Sequence, residues 1–189
     1  MKRTVDELIE RLESPERRQL MDLEAVLSRL PLTQSLAVAD VGCGTGYFAL
    51  PLGSKLANGL VYAIDVSPEM LAVVDKKIAT EGRRNIDTVR SEDGKIPLSD
   101  ESVDGVLTAF VLHEAENLPA LLKEIGRILR SDGWLAVLEW KQEETPVGPA
   151  LDERLAPEDV AGELAAMGIS LVAVHDINEN YYLALFARK

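Results

Sequence analysis

The chain has 189 residues, of which 47% are hydrophobic and 28% are charged, and its formal net charge at neutral pH is −12. This composition is typical of one globular domain, and the acidic excess disfavours a nucleic-acid partner, because binding to phosphates depends on lysine and arginine. One cysteine and two histidines rule out an internal disulfide and supply no cluster with zinc-ligand spacing, and no apolar run approaches the length of a membrane span.

The N-terminal region predicts two amphipathic helices within residues 4–30, separated at Ser14 and Pro15. Charged and apolar residues are interleaved through the first helix, so residues 1–20 lack the continuous apolar segment of a signal peptide. We therefore expect a cytoplasmic protein.

A glycine-rich segment, VADVGCGTGYFALPLG, occupies residues 38–53 after the first apolar run. Gly42, Gly44 and Gly46 predict a loop whose backbone N–H groups can approach a ligand, because no Cβ stands in the way. Tyr47 takes the place of the third glycine of a dinucleotide-binding G-x-G-x-x-G motif, and no lysine follows the last glycine as in a P-loop. Both phosphate-binding interpretations are therefore weakened.

Two acidic residues frame this loop. Asp40 opens it, and a carboxylate there repels a diphosphate but suits a ligand with ammonium and sulfonium charges, both of which S-adenosyl-L-methionine carries. Asp65 ends the second apolar run, LVYAID, and lies 65 − 46 = 19 residues after Gly46, close to the step of about 20 residues at which a strand-end acid meets a ribose. For Cys43, inside the loop, a small residue in a crowded turn is favoured over a reactive thiol.

Strand-like runs recur along the chain at about 36–41, 60–65, 86–90, 103–110 and 134–140. Several of these runs are continuously apolar, as in a parallel sheet that is covered on both faces. Helical patterns separate them, and this alternation predicts a doubly wound α/β sheet.

Two of the intervening helices have clear start and stop signals. Ser67 and Pro68 predict the start of one helix, with a capping side chain and a first-turn proline. A second helix is predicted at residues 118–129, with Asn117 as its cap and a closing turn at residues 131–133. The apolar stripes of these helices are explained by covering one sheet, so they indicate no oligomeric state.

The end of the chain departs from this alternation. A helix predicted to about Met167 is followed by two apolar runs, LVAVHDI and YYLALFA, with only residues 178–180 between them. So short a connection does not allow a parallel crossover, and we expect an antiparallel hairpin.

With these motifs the chain resembles the class I S-adenosylmethionine-dependent methyltransferases, which carry D/E-x-G-x-G-x-G after their first strand and an acid at the end of the second. Residues 90–140 are similar to the third, fourth and fifth strands of the small-molecule branch that includes the ubiquinone/menaquinone-type C-methyltransferases. The matching segments are Ile96-Pro97-Leu98, Ser102-Val103-Asp104 and Arg127-Ile128-Leu129 through Gly133.

The resemblance implies a Rossmann-like α/β fold, a doubly wound seven-stranded sheet of order 3-2-1-4-5-7-6 with strand 7 antiparallel. It also implies that residues 1–189 form a single S-adenosylmethionine-binding domain, with residues 1–30 as an N-terminal helical lid. We expect the part of this lid at residues 17–22 to approach the active site, although a helix that merely covers the sheet is the alternative.

Cofactor contacts follow from the resemblance and from the ends of the strands. Asp40 would bind the ammonium group and Asp65 the ribose, while Glu92, or Asp93 beside it, would address the adenine amino group. The full set of expected cofactor-binding residues is Asp40, Gly42, Cys43, Gly44, Gly46, Asp65, Val66, Met70, Glu92, Asp93 and Phe110. Val66 and Met70 are expected to flank the adenine and the Phe110 backbone to border the methionine, with core packing as the alternative for Met70.

Methyl transfer from a sulfonium is an in-line displacement, so the protein chiefly positions the acceptor and excludes water. A general base is needed only if the acceptor arrives protonated, and His113, just past the fourth strand, is the candidate; a histidine that packs or caps the loop is the alternative. We expect a small-molecule methyl acceptor, S-adenosyl-L-homocysteine as product and no metal. A nicotinamide-dependent oxidoreductase, which Tyr47 disfavours, and a protein that binds the cofactor without turnover are the other two classes.

Overall fold

The computed structural model describes residues 4–15, 21–92, 94–145 and 147–189. Its helices are α1 (Val5–Glu13), α2 (Leu23–Leu27), α3 (Ala49–Lys55), α4 (Pro68–Glu81), α5 (Leu118–Ile128) and α6 (Pro157–Ala165). Its strands are β1 (Ala37–Val41), β2 (Leu60–Asp65), β3 (Ile86–Arg90), β4 (Val103–Ala109), β5 (Leu129–Trp140), β6 (Ile169–Asp176) and β7 (Tyr181–Arg188). Single 3-10 turns lie at Leu112–Glu114 and Leu151–Glu153.

The seven strands form one sheet in the order β3-β2-β1-β4-β5-β7-β6. β1 to β5 run parallel, whereas β7 is antiparallel to both of its neighbours. The predicted doubly wound sheet and C-terminal hairpin are therefore confirmed. Successive residues of β5 belong to two different buried clusters, Ala136 and Leu138 to one and Leu135 and Val137 to the other, so both faces of the sheet are covered.

The predicted helix signals form as expected. The Ser67 hydroxyl accepts a hydrogen bond from the Met70 N–H (3.2 Å), and α4 ends at Gly82 in the left-handed conformation, with φ +63°. The Asn117 side chain accepts from the Ala120 N–H (3.0 Å) and so caps α5.

The boundary between α5 and β5 differs from the prediction. The helix ends at Ile128 and the strand begins at Leu129, so the expected closing turn at residues 131–133 lies inside β5. Asp132 has φ +63°, and the pairing with β4 shifts register between Val103 and Gly105. β4 advances by two residues across this shift while β5 advances by five, from Leu129 to Trp134, so the turn residues form an irregular insertion of three residues that interrupts the ladder without ending it.

The N-terminal region differs in a similar way. Met21 and Asp22, which the sequence predicts within the second helix, precede α2, and the Asp22 side chain caps it by accepting from the Ala25 N–H (2.9 Å). Most of the predicted lid segment, residues 17–20, lies outside the described residues. None of the helices given above combines the length and apolar character that crossing a bilayer requires.

Candidate functional site

Several predicted site residues lie together at the carboxyl ends of the central strands. β1 lies between β2 and β4 and runs parallel to both, so Asp40, Asp65 and the residues after Ala109 come together at the carboxyl ends of these strands. This is the point where the strand order reverses, which is where open α/β sheets bind their ligands.

The glycine loop needs its glycines for conformation and for space. Gly42, Gly44 and Gly46 have φ values of +73°, +52° and +84°, which other residues rarely adopt. A Cβ on Gly42 would lie 2.2 Å from Cγ2 of Val111, in the segment that follows β4. The loop and that segment are therefore in direct contact, and only glycine fits between them.

The N–H groups of the loop are directed differently from the prediction. Each of the following groups donates to a protein acceptor: Gly42 and Cys43 N–H to the Ile64 carbonyl (2.8 and 2.9 Å), Gly44 N–H to Asp65 Oδ2 (2.8 Å) and Gly46 N–H to the Cys43 carbonyl (2.9 Å). These bonds tie the loop to the end of β2 and hold its shape. A ligand at this edge therefore meets a loop that is already ordered.

Asp65 is fixed by two backbone donors. Its Oδ2 accepts from Gly44 and its Oδ1 accepts from the Ser67 N–H (2.9 Å). Since each carboxylate oxygen has two lone pairs, both oxygens keep capacity for a further hydrogen bond. Next to it, Val66 is 57% exposed, so an apolar side chain and a strand-end acid lie side by side.

Asp40 is the most unusual group of the site. Its side chain is buried, and within the described part of the chain its Oδ2 has no hydrogen-bond partner. Burial raises the pKa of its carboxyl to about 7; a hydrogen bond from the Ala49 backbone opposes this rise, and the charge of Asp65 adds to it. A cation beside such a buried, incompletely paired carboxylate would offset its desolvation.

Cys43 is buried beside the two acids. Burial raises the pKa of its thiol far above the ordinary range, and the charges of Asp40 and Asp65 raise it further. The thiol is therefore protonated, which favours the interpretation of Cys43 as a small residue in a crowded turn over that of a reactive thiol.

The other predicted cofactor contacts take different positions. Met70 is buried (3% exposed). Glu92 is exposed, and its backbone forms an isolated antiparallel β-bridge with the backbone of Lys95. Asp93 lies outside the described residues. Phe110 has φ +60°, and its N–H donates to the Leu138 carbonyl (2.9 Å). A left-handed phenylalanine is strained, and such strain is frequent at functional sites.

Phe110 also belongs to a cluster of three aromatic rings. Its ring centroid lies 4.9 Å from that of Tyr181 and 6.0 Å from that of Trp140, and the Trp140 and Tyr181 rings meet edge to face at 4.7 Å. These residues stand at the end of β4, the end of β5 and the start of β7. The cluster therefore lies at the same end of the sheet as Asp40 and Asp65.

The predicted base His113 is bound to Glu139, a residue that the sequence patterns do not single out. Glu139 lies on β5 with its side chain 1% exposed. Its Oε2 is 2.7 Å from His113 Nδ1, and its Oε1 accepts from the N–H groups of Leu112 (3.1 Å) and His113 (3.4 Å). The sequence feature that could have identified Glu139 is the presence of an acid inside the apolar run LAVLEW.

This pair sets the charge of the imidazole. Burial alone would lower the pKa of His113, but the hydrogen bond and charge of Glu139, with the charges of Glu114 and Glu153, outweigh it and raise that pKa. The ring is thus protonated over a wider pH range than a free histidine.

The end of α1 lies on the glycine loop. Leu12 Cδ1 is 3.2 Å from the position of a Cβ on Gly44, and Glu13 Oε1 accepts from Thr45 Oγ1 (2.5 Å) and from Lys77 Nζ (2.8 Å). Further along, the Tyr47 hydroxyl donates to the carbonyl of Met21 (3.2 Å). The N-terminal region is therefore attached to the loop on both sides of residues 16–20.

Comparisons with known proteins agree with these structural features. Residues 39–137 match the family model described as a methyltransferase domain. A crystal structure of an S-adenosylmethionine-dependent methyltransferase from Aquifex aeolicus is 32% identical, covers 100% of both chains and superposes with a TM-score of 0.90. The [4+2]-cyclase SpnF, 18% identical over 88% of this chain and 80% of its own, has a TM-score of 0.76 and shares the fold.

Among curated proteins, the chain is similar to the demethylmenaquinone methyltransferase of Geobacillus kaustophilus, with 31% identity over 67% of this chain and 54% of that protein. The enzyme of the same name from Lactobacillus johnsonii is 32% identical over 57% of this chain and 45% of its own. The chain thus spans about half the length of these relatives. It belongs to the class I S-adenosylmethionine-dependent methyltransferases, in the branch that includes the quinone-type enzymes.

Proposed function

We propose that residues 1–189 act as one methyltransferase domain that transfers a methyl group from S-adenosyl-L-methionine to a small-molecule acceptor, leaving S-adenosyl-L-homocysteine. The observation that carries this proposal is the buried carboxylate of Asp40, whose Oδ2 is unpartnered within the described residues. A fold alone does not decide the reaction, since a cyclase shares this one.

The residues present fit the cofactor. Asp40 would hold its ammonium group, since a cation beside a buried carboxylate offsets the desolvation that otherwise neutralises it. Asp65, with spare lone pairs on both oxygens, would accept the ribose hydroxyls. Val66 offers an exposed apolar surface to the adenine, and Glu92 or Asp93 would contact the edge of that base.

The protein would contribute to the reaction by positioning the cofactor and the acceptor. Bound S-adenosylmethionine supplies a methyl carbon that its sulfonium already activates. The ordered glycine loop and the Phe110 backbone would hold the methionyl end, and the rings of Phe110, Trp140 and Tyr181 would exclude water beside it. These rings support an acceptor with a flat, unsaturated ring, as do the relatives that are named demethylmenaquinone methyltransferases.

Two further roles belong to this proposal. His113, oriented by Glu139 at Nδ1, would take a proton at Nε2 from an acceptor that arrives protonated. The N-terminal helices would act as a lid, with α1 held on the glycine loop through Glu13 and Lys77.

The first test removes the charge of Asp40. The Asp40→Asn variant is expected to bind S-adenosylmethionine about 10- to 100-fold more weakly in calorimetric titration, because the ammonium loses a buried charged partner. Asp87→Asn, at an exposed position of β3, is the control and should bind normally. Wild-type affinity in the Asp40 variant would contradict the proposal.

The same variant should be more stable than the wild type. Between about pH 4 and pH 7 the folded protein keeps a proton on Asp40 that the unfolded chain has released, so the free energy of unfolding falls as the pH rises. Above pH 7 the difference in pKa corresponds to at most about 4 kcal/mol, which Asp40→Asn would recover. Urea denaturation of both proteins from pH 4 to pH 8 measures it; a stability difference that does not grow with pH would disprove the assignment.

A third test concerns His113. If it accepts a proton, kcat/KM for a protonated acceptor rises with pH through a pKa above the ordinary 6.5. His113→Gln should lower the rate by about 100-fold and remove this pH dependence while S-adenosylmethionine affinity stays unchanged. The control is His175→Gln, on β6. The measurement is methylation of 1,4-naphthohydroquinone; an unaltered pH profile in His113→Gln would exclude the histidine as base.

The lid is tested by backbone hydrogen exchange. Adding S-adenosylhomocysteine should slow exchange in residues 4–15, because the bound molecule stabilises the closed arrangement. Lys77→Met removes the partly exposed ion pair with Glu13. It should increase the release rate of S-adenosylhomocysteine by up to about fivefold, the effect expected from losing one such pair. Arg130→Met, which breaks the ion pair with Asp104 outside the N-terminal helices, should not. Unchanged exchange on binding would count against a lid.

A further inference from the structure

The segment that follows β5, described at residues 141–145 and 147–153, is held by one buried arginine. Arg154 is 6% exposed. Its donors reach the following acceptors: Nε the Pro149 carbonyl (3.1 Å), Nη1 the carbonyls of Lys141 (3.0 Å) and Glu143 (2.5 Å), and Nη2 Thr145 Oγ1 (2.7 Å) and the Pro149 carbonyl (3.1 Å). Acceptors spread over nine residues of the segment thus converge on one guanidinium.

These partners carry no formal charge, and burying a cation among neutral groups is costly unless its donors are satisfied. The planar guanidinium satisfies that condition with five donors in a fixed fork, which the ammonium group of lysine cannot reproduce. Arg154 also lies over the ring of Trp140, with Cζ 5.2 Å from the ring centroid.

Trp140 is in turn fixed on several sides. Gly148, with φ +115°, passes so close that a Cβ there would lie 2.8 Å from the indole ring. The edge-to-face contact with Tyr181 and the contact with Phe110 complete its surroundings. A continuous set of contacts therefore runs from Arg154 through Trp140 to Phe110, at the end of β4.

We propose that Arg154 is a positioning residue that holds residues 141–145, Pro149 and the Trp140 ring as one wall of the acceptor pocket, and so sets affinity for the acceptor without setting affinity for the cofactor. The inference rests on the proposed function, because it takes the aromatic cluster as the acceptor side of the site. Its basis is the placement of these groups at the carboxyl end of β5, on the far side of β4 from the glycine loop.

The experiment compares Arg154→Lys with Arg130→Lys. Arg130 forms its ion pair with Asp104, near the amino end of β4, and is the matched control. Arg154→Lys is expected to raise KM for 1,4-naphthohydroquinone about tenfold, with kcat changed less than threefold and S-adenosylmethionine affinity within twofold of the wild type. Its tryptophan emission should shift to longer wavelength, and this shift should disappear when Trp140→Phe is added.

A second variant covers the case in which Arg154→Lys does not fold. Thr145→Val removes one acceptor and leaves the guanidinium in place, so it should change KM and emission in the same direction but less. Equal losses of cofactor affinity and acceptor affinity would overturn the proposal, because they indicate general destabilisation. So would an unchanged KM and emission in both variants.

A wrong acceptor class would be recognised by a different observation. If the wild-type protein does not methylate the naphthohydroquinone, the proposed acceptor class is wrong. Tryptophan emission and hydrogen exchange of residues 141–153 need no acceptor and still decide the role of Arg154: faster exchange and shifted emission in Arg154→Lys support it, and wild-type values of both overturn it.

Discussion

The proposed cofactor site depends on the burial of one carboxylate at the end of β1. Asp40 loses its contact with water, receives a single backbone hydrogen bond from the start of α3 and faces a second acid at the end of β2. With a pKa of about 7 such a group is only about half ionised near neutral pH, and a ligand that brings a positive charge would favour its ionised form. In the proposed function this carboxylate favours a cationic ligand over a phosphate.

Around that carboxylate the backbone is already arranged. The N–H groups of Gly42, Cys43, Gly44 and Gly46 donate to Ile64, Asp65 and Cys43, so these glycines serve mainly to let the loop turn and to let the segment after β4 approach. Little of the loop has to be ordered when a ligand arrives, which lowers the entropic cost of binding. The two N-terminal helices are attached differently: α1 has no buried residue and is held by the Glu13–Lys77 ion pair and by hydrogen bonds, whereas Val26 and Leu27 of α2 are buried in the core.

Much of this arrangement is readable from the sequence because it depends on local rules. Glycine spacing, strand-end acids, helix caps such as Ser67 and the short connection before β7 each specify one conformation. What escapes such reading depends on long-range packing. Glu139 is one acid in an apolar strand, and Arg154 is one arginine in a polar stretch; their roles come from groups that are brought to them by the fold. The irregular insertion in β5 is likewise set by its neighbour β4.

The interlocking of Gly42 with Val111 has a consequence for how such enzymes diversify. Any larger residue at either position would push the glycine loop and the segment after β4 apart, so a substitution near the end of β4 would also displace the loop. No hydrogen bond or ion pair joins the described residues 141–145 and 147–153 to the glycines of the loop or to its flanking acids. Substitutions in that segment would therefore leave the contact between Gly42 and Val111 as it is.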